Sequence, residues 1–215
     1  MKRPASGRTL RSVRALVGAV ALVLTVPISG SQSSSPTPRI VRVFEDGRFM
    51  QVLYGDPDRE GGHYVIRIGN DDGQIVFAHR HPEDEHIVVV QGTWFLGHGE
   101  AFNRAALEEM PVGAYAMVPK GMPHFAWSRG ETIIQVHGVG PFKQLFVDQI
   151  SRITEAGAER YFKYKVGDRV LSAKGPGVIT NGYRTKKLVQ YQLKRDDGGL
   201  FWALEEDLNL FPSPR

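Results

Sequence analysis

From Ile40 to Gln149 the apolar residues fall into short runs separated by Gly, Asp and Pro: "RIVRVFEDG", "HYVIRIGNDDG", "QIVFAHRHPED", "EHIVVVQGTWFLGHGE", "AYAMVPKGMPHFAWSRGE" and "TIIQVHGVGPF". Such runs, alternating or continuously apolar, are the mark of β-strands, and many of them with turn signals between predict an all-β barrel or sandwich over 40–150. The stretch "AFNRAALEEM" is the main helical candidate inside it. "QISRITEAGAERYF" reads as a short helical connector, placed at 151–160. Strand signals return in "DRVLSA", "GVITNGYR", "KLVQYQLK" and "LFWALEEDL", with turns at "KGPG" and "DDGG". They predict a small β-barrel over 161–211, and roughly 50 residues is near the lower limit for independent folding.

The first thirty residues follow another pattern. "MKRPASGRTLRSVR" is basic, "ALVGAVALVLTV" is apolar and "PISGSQSSS" offers small residues, which is the order of a secretory signal peptide over 1–30. Cleavage is expected near Ser29 to Ser31, followed by a flexible linker over 31–39. The alternative is an uncleaved anchor, but the apolar run falls short of the about 20 residues that span a bilayer. The expected location is periplasmic or secreted, with no membrane association after cleavage.

This leader alters the charge picture. The chain is formally +4, and Lys2, Arg3, Arg8, Arg11 and Arg14 supply five of those charges, so the mature protein is near 4 − 5 = −1. The basic character of the whole is therefore no warrant for a nucleic-acid partner, and none is expected. Residues 31–159 carry 11 basic and 17 acidic side chains, a balance of 11 − 17 = −6. Residues 160–215 carry 11 and 6, a balance of 11 − 6 = +5, which supports a second module with a solvated basic face or one that meets the acidic barrel. With no cysteine in the chain, disulfides and thiolate ligands are excluded, and His, Asp and Glu remain to hold any metal.

The chemistry concentrates in "FAHRHPEDEHIVVVQG". In a strand, residues i and i+2 share a face, so His79 and His81 should point together, with Ile75 and Phe77 behind them on the same side. Pro82, Glu83 and Asp84 make a turn, after which Glu85, Ile87 and Val89 share a face of the next strand. A hairpin of this kind can set the Glu85 carboxylate opposite the two imidazoles. A further histidine, His124, follows the tight turn shaped by Pro119, Gly121 and Pro123.

Together these stretches resemble the two signature motifs of the cupin superfamily. The first motif, G(x)5HxH(x)3E(x)6G, is matched by Gly73, His79, His81, Glu85 and Gly92. The second, G(x)5PxG(x)2H(x)3N, is matched by Gly113, Pro119, Gly121 and His124, with Ser128 where the pattern has asparagine. The resemblance covers about half the chain and implies an RmlC-like jelly-roll barrel in which His79, His81, Glu85 and His124 hold one divalent metal ion. Three imidazoles and a carboxylate suit such an ion. Fe, Mn or Ni would keep open positions for a catalytic role, whereas four protein ligands would close a tetrahedral Zn site. The stretch also resembles bacterial single-barrel cupins of unassigned function, in which "DEH", "PHFAW" and "QVHGVGPF" recur.

Other residues are open to two readings. Gln135 and His137 alternate along the strand after the second motif and either face the interior, supporting the ligands or touching substrate, or face outward. Arg80 and His86 should point away from the ligands, His63 and His98 suit solvated turns, and Tyr64, Phe77, Trp94, Phe125 and Trp127 are core or pocket lining. No catalytic residue beyond the ligands is assigned. The C-terminal segment from "VGDRV" to "DDG" resembles small SH3-like or Tudor-like barrels. The expected activity is that of a metal-dependent enzyme, oxygenase-like, on a small organic molecule. The alternative is a metal-dependent module that binds or senses a small ligand without catalysis. Pairing into a homodimer through the barrel is implied by the cupin resemblance.

Overall fold

The computed structural model describes residues 39–43 and 48–211. The signal peptide and all but the last residue of the expected linker lie outside the described residues, and Arg39 opens the first strand. Among the described residues one sheet is built from β1 (Arg39–Val43), β2 (Phe49–Gly55), β3 (His63–Asn70), β4 (Ile75–Arg80), β5 (Glu85–His98), β6 (Glu108–Met110), β7 (Tyr115–Val118), β8 (His124–Val139) and β9 (Leu145–Phe146). Strand β8 organises it. It pairs antiparallel with β5 along nearly its whole length, and its other edge takes β4 near His124 and β3 from Thr132 onward.

Alternation explains which face is inward. Ile87 and Val89 of β5, and Ala126, Ile134 and Val136 of β8, are buried, while their neighbours Val88, Gln135 and His137 are half-buried. The inward set joins Met50, Tyr64, Ile66, Ile68, Val76, Trp94 and Leu96 in one core. The all-β jelly-roll expectation holds.

A second antiparallel sheet is formed by β10 (Ser151–Arg152), β11 (Arg169–Ser172), β12 (Gly175–Arg184), β13 (Val189–Lys194), β14 (Leu200–Leu204) and β15 (Asn209–Leu210). Its order is β14-β13-β12-β11-β15, with β10 also pairing β12. Val170, Ile179, Tyr191, Leu193 and Phe201 are buried in its own core with Tyr164. The SH3-like or Tudor-like character rests on the sequence resemblance.

Both helical expectations are corrected. Only Arg104–Ala106 of "AFNRAALEEM" is helical, as one 3-10 turn capped by Asn103, and Glu108–Met110 is strand β6, held by pairing with Trp94, Phe95 and Leu96. In the connector, Ser151–Arg152 is strand β10 of the second sheet and the helical part shrinks to Glu159–Tyr161. In each case pairing with a neighbouring strand outweighs a weak local helical preference. Strand β2, in "FMQVLYG", was not expected from the sequence; its burial alternates poorly and it is held between β1 and β3.

The two sheets are joined closely. Ile75, Phe77, Tyr183, Trp202 and Leu204 form a shared apolar cluster. The Gln190 side-chain amide meets both polar groups of the Ile75 backbone, accepting from its N–H at 3.1 Å and donating to its carbonyl at 2.9 Å. The Trp202 N–H donates to the Asp72 carbonyl at 2.7 Å. Gly73, at a φ of +82°, lies so close to this strand that a Cβ would sit 2.3 Å from the Trp202 carbonyl oxygen, so a side chain is excluded there by contact as well as by conformation.

Charge adds to this junction. Lys174 Nζ lies 2.7 Å from Asp72 Oδ1, which also accepts from the Gly130 N–H at 2.8 Å. Partial burial works against ionisation of Asp72, but Lys174, Gly130 and Arg195 outweigh it and hold the carboxyl below the usual aspartate range. A folded-state pKa below the unfolded one means a stabilisation present above about pH 4 and lost as pH falls through the lower folded value. Asp72→Asn should therefore flatten the fall of melting temperature with acid below about pH 4. An unchanged acid limb in thermal melts would show that the pair adds no pH-dependent stability.

Candidate metal centre

Each candidate ligand sits at the end of a strand. His79 is near the end of β4, His81 follows it, Glu85 opens β5 and His124 opens β8. The loops between are tied together, since the Gly121 N–H donates to the His81 carbonyl at 2.9 Å and Asp84 Oδ1 accepts from the Lys120 N–H at 2.8 Å. The Pro82–Asp84 turn thus bonds to the loop that delivers His124. Ser128 serves the same region: its hydroxyl accepts from the Gln74 N–H at 3.1 Å and donates to the Asp71 carbonyl, closing the turn before β4.

One placement overturns the strand-parity expectation. Ile75 and Phe77 do not lie behind the histidines; they face the second sheet in the cluster with Trp202, while Val76 faces the barrel core. The pairing of β4 with β8 shifts register between Val76 and His79. An irregularity of this kind re-aims the residues that follow it, so His79 reaches the interior despite the alternation.

The four side chains meet in the interior, all buried. The ring centroids of His79 and His124 are 4.2 Å apart, those of His79 and His81 4.9 Å, and those of His81 and His124 5.4 Å. One nitrogen from each of the three imidazoles falls within 4.8 Å of the others. Glu85 Oε2 lies 3.5 Å from His81 Nε2 and 3.4 Å from His124 Nε2.

The far nitrogens explain the orientation. His79 Nδ1–H donates to the Phe77 carbonyl at 2.7 Å and His124 Nδ1–H donates to the Met122 carbonyl at 3.1 Å. His81 bonds to the Lys143 backbone, while its Nε2 is buried without a hydrogen-bond partner. Backbone carbonyls thereby fix the tautomers and leave Nε2 lone pairs directed inward, as a metal-binding histidine requires. Burial holds His79 well below the ordinary histidine range, and neighbouring imidazoles add to the effect. Burial also lowers His81, against the opposing pull of Glu85. Glu85 would be raised by burial, but His81 and His124 more than offset this and keep it ionised. Three imidazoles and one carboxylate suit a divalent cation.

The remaining candidates divide by face. Gln135 and His137 lie on the outer face of β8, since Ile134 and Val136 point inward, and they do not join the cluster. Gln135 bonds to Arg67 and to His137 there, at 3.3 and 2.9 Å. Arg80 pairs with Glu100, His86 Nδ1 meets the Tyr115 hydroxyl, and His63 and His98 are exposed. Tyr64, Phe77, Trp94 and Phe125 are buried and Trp127 is half-buried.

Two residues near the cluster have no sequence signal. Gln144 Nε2–H donates to His79 Nε2 at 3.1 Å, and its Oε1 accepts from Arg48 at 3.3 Å. Neither belongs to a motif, and each arrives from a loop remote in sequence. A small inner cavity of ≈ 20 Å³ adjoins His79, Glu85 and His124. An open cleft of ≈ 850 Å³ lies outside it, between Phe142–Ile150 and side chains that include Phe77, Arg152 and Tyr183. Arg48, Val76 and Gln144 line both and so stand between them.

Strands β4, β5 and β8, with the turn after β4, thus bring three histidines and one glutamate together in an all-β barrel, the arrangement that the resemblance to cupins implies. No protein-family model matches the chain, and no curated protein does. Among solved structures it is similar to an RmlC-like cupin from Shewanella frigidimarina, at 18% identity over 50% of this chain and 86% of that one with a TM-score of 0.40. It is also similar to a conserved protein with a double-stranded β-helix domain from Klebsiella pneumoniae, at 19% identity over 46% and 78% of the two chains with a TM-score of 0.37. A structure of oxalate oxidase matches at 19% identity over 57% and 68%, with a TM-score of 0.40.

Proposed function

We propose that this protein is a metal-dependent cupin enzyme that acts on a small organic molecule outside the cytoplasm, with His79, His81, Glu85 and His124 as the ligands of one divalent ion. The observation that carries the reading is the inward set of Nε2 atoms, each imidazole anchored through its other side, around an ionised Glu85. The orphaned His81 Nε2 is otherwise a costly buried acceptor.

When bound there, Fe, Mn or Ni supplies Lewis acidity and open positions for substrate. The chain's own residues do the rest. The backbone carbonyls hold the ring tautomers, Glu85 sets the local charge, and the apolar walls formed by Val76, Ile87, Leu96 and Ile134 keep bulk water from the cluster. The cleft offers room for the body of a substrate, which favours an enzyme over a structural metal site.

Elemental analysis of purified protein tests the first step. About one divalent ion per chain is expected. The outward His137→Ala variant should retain the same content, because that side chain lies on the opposite face of β8. A dioxygen-consumption screen with Fe- and Mn-loaded protein then separates catalysis from simple ligand capture, with uptake only in the presence of substrate as the enzymatic result. Absence of metal from protein prepared with Fe, Mn, Ni and Zn available overturns the proposal.

A further inference from the structure

The inner cavity has polar groups that the metal cluster does not use. Trp94 and Asn70 both line it and both are buried. Trp94 Nε1 is a buried donor without a partner, and Asn70 Oδ1 is a buried acceptor without one. The orientation of the Asn70 amide is set by its Nδ2, which donates toward the Ile68 carbonyl at 3.4 Å. Buried polar atoms are seldom left orphaned in a folded interior, and two on residues that line one cavity point to a ligand that satisfies them. At ≈ 20 Å³ the cavity has space for about one water-sized group. A single hydroxyl both accepts and donates, so it alone answers Trp94 and Asn70 together.

The partition supplies the other half of the recognition. Arg48 is buried and lines both the inner cavity and the cleft. Gln144 bonds to Arg48 on one side and to His79 Nε2 on the other. That nitrogen has one lone pair, which serves either the Gln144 amide or a metal ion. Once a metal takes it, the Gln144 N–H becomes a spare donor beside the Arg48 guanidinium. A carboxylate fits these groups.

We propose that the site takes a 2-hydroxycarboxylate, its hydroxyl between Trp94 and Asn70, its carboxylate at Arg48 and Gln144, and its remaining carbon skeleton in the outer cleft. This rests on the metal-centre reading for the release of Gln144. The hydroxyl pocket itself depends only on Trp94 and Asn70.

Calorimetric titration of the Mn(II)-loaded full chain with L-lactate, propionate and 1,2-propanediol tests it, since the second lacks the hydroxyl and the third lacks the carboxylate. Lactate should bind about 3- to 10-fold more tightly than propionate, the effect of one or two added hydrogen bonds, and the diol should not bind detectably. Trp94→Phe and Asn70→Ala should erase the preference for lactate while leaving propionate affinity within about twofold. Arg48→Met should weaken both acids by about tenfold or more. Manganese content should stay at the wild-type level in all three variants, with folding checked by circular dichroism.

Equal binding of lactate and propionate, or a preference that survives both Trp94→Phe and Asn70→Ala, overturns the inference while normal manganese content leaves the metal reading standing. If the wild-type chain takes up no manganese, the metal reading fails by itself. The titration is then read on the metal-free chain, where a lactate preference abolished by Asn70→Ala upholds the hydroxyl pocket and its absence overturns it.

Discussion

Glu85→Ala is expected to abolish stoichiometric metal uptake. Glu85 is the one carboxylate among the four clustered side chains, and its Oε2 lies within 3.5 Å of two imidazole nitrogens. Loss of a residue that merely supports a ligand typically costs 10- to 100-fold in metal affinity, so loss of a ligand should cost at least about 100-fold. His81→Ala should act in the same way, because its Nε2 has no other partner in the interior. Thermal melts separate this effect from misfolding. An ion present at about 100 times its dissociation constant stabilises the folded state by about 2.7 kcal/mol, or roughly 5–10 °C for a chain of this size. The wild-type chain should gain that increment when metal is added, and Glu85→Ala should not. Should Glu85→Ala gain the wild-type increment, Glu85 is no ligand.

Trp202→Ala should be the most damaging single substitution outside the metal cluster. Trp202 is 1% exposed and packs with Ile75, Phe77, Tyr183 and Leu204, where the two sheets meet. Its Nε1–H donates to Asp71 Oδ2 at 3.3 Å and its backbone N–H to the Asp72 carbonyl at 2.7 Å. Truncating a buried tryptophan costs about 3–5 kcal/mol, roughly 6–20 °C in melting temperature at this length. The consequence reaches the metal cluster, because Ile75 and Phe77 belong to the strand that carries His79. Metal affinity should therefore fall along with stability, and Gln190→Ala, which strips both backbone partners from Ile75, should do the same to a smaller degree. A Trp202→Ala protein that melts at the wild-type temperature and binds metal normally would show that the second sheet is a passenger on the barrel.

The two sheets share an apolar cluster and side-chain hydrogen bonds. The charge difference between the halves is real, and one consequence of it is visible in the Lys174–Asp72 pair. The second sheet begins at Ser151, and its tryptophan and glutamine pack on and bond to strand β4, so the basic segment supports the strand that carries His79 directly. No helix among the described residues is long and apolar enough to cross a membrane.

Much of the candidate site was legible in the sequence because its spacing is local. Two histidines one residue apart, a turn, and a glutamate four residues after the second lie close along the chain, and the glycines and prolines before His124 announce the turn that delivers it; the expected hairpin is corrected, since β4 and β5 do not pair with each other and each pairs with β8 instead. Gly92 shows the same economy: its φ of +73° and a would-be Cβ 2.4 Å from the Glu131 carbonyl oxygen exclude other residues, and the motif places glycine there. The strand-rich pattern likewise determined the all-β class.

What the chain pattern could not determine depends on contacts between segments far apart in sequence. Strand parity put Ile75 and Phe77 beside the histidines, but an irregular pairing with β8 turned them toward the second sheet. Parity left the faces of Gln135 and His137 open, and burial of Ile134 and Val136 decided for the outside. Arg48, Asn70, Trp94 and Gln144 gain their significance only because β2, β3, β5 and the segment after β8 bring them to one cavity. The clustered histidines and glutamate follow from short-range spacing, which sequence carries directly; the walls of the cavity beside them are set by long-range packing, which only the folded barrel decides.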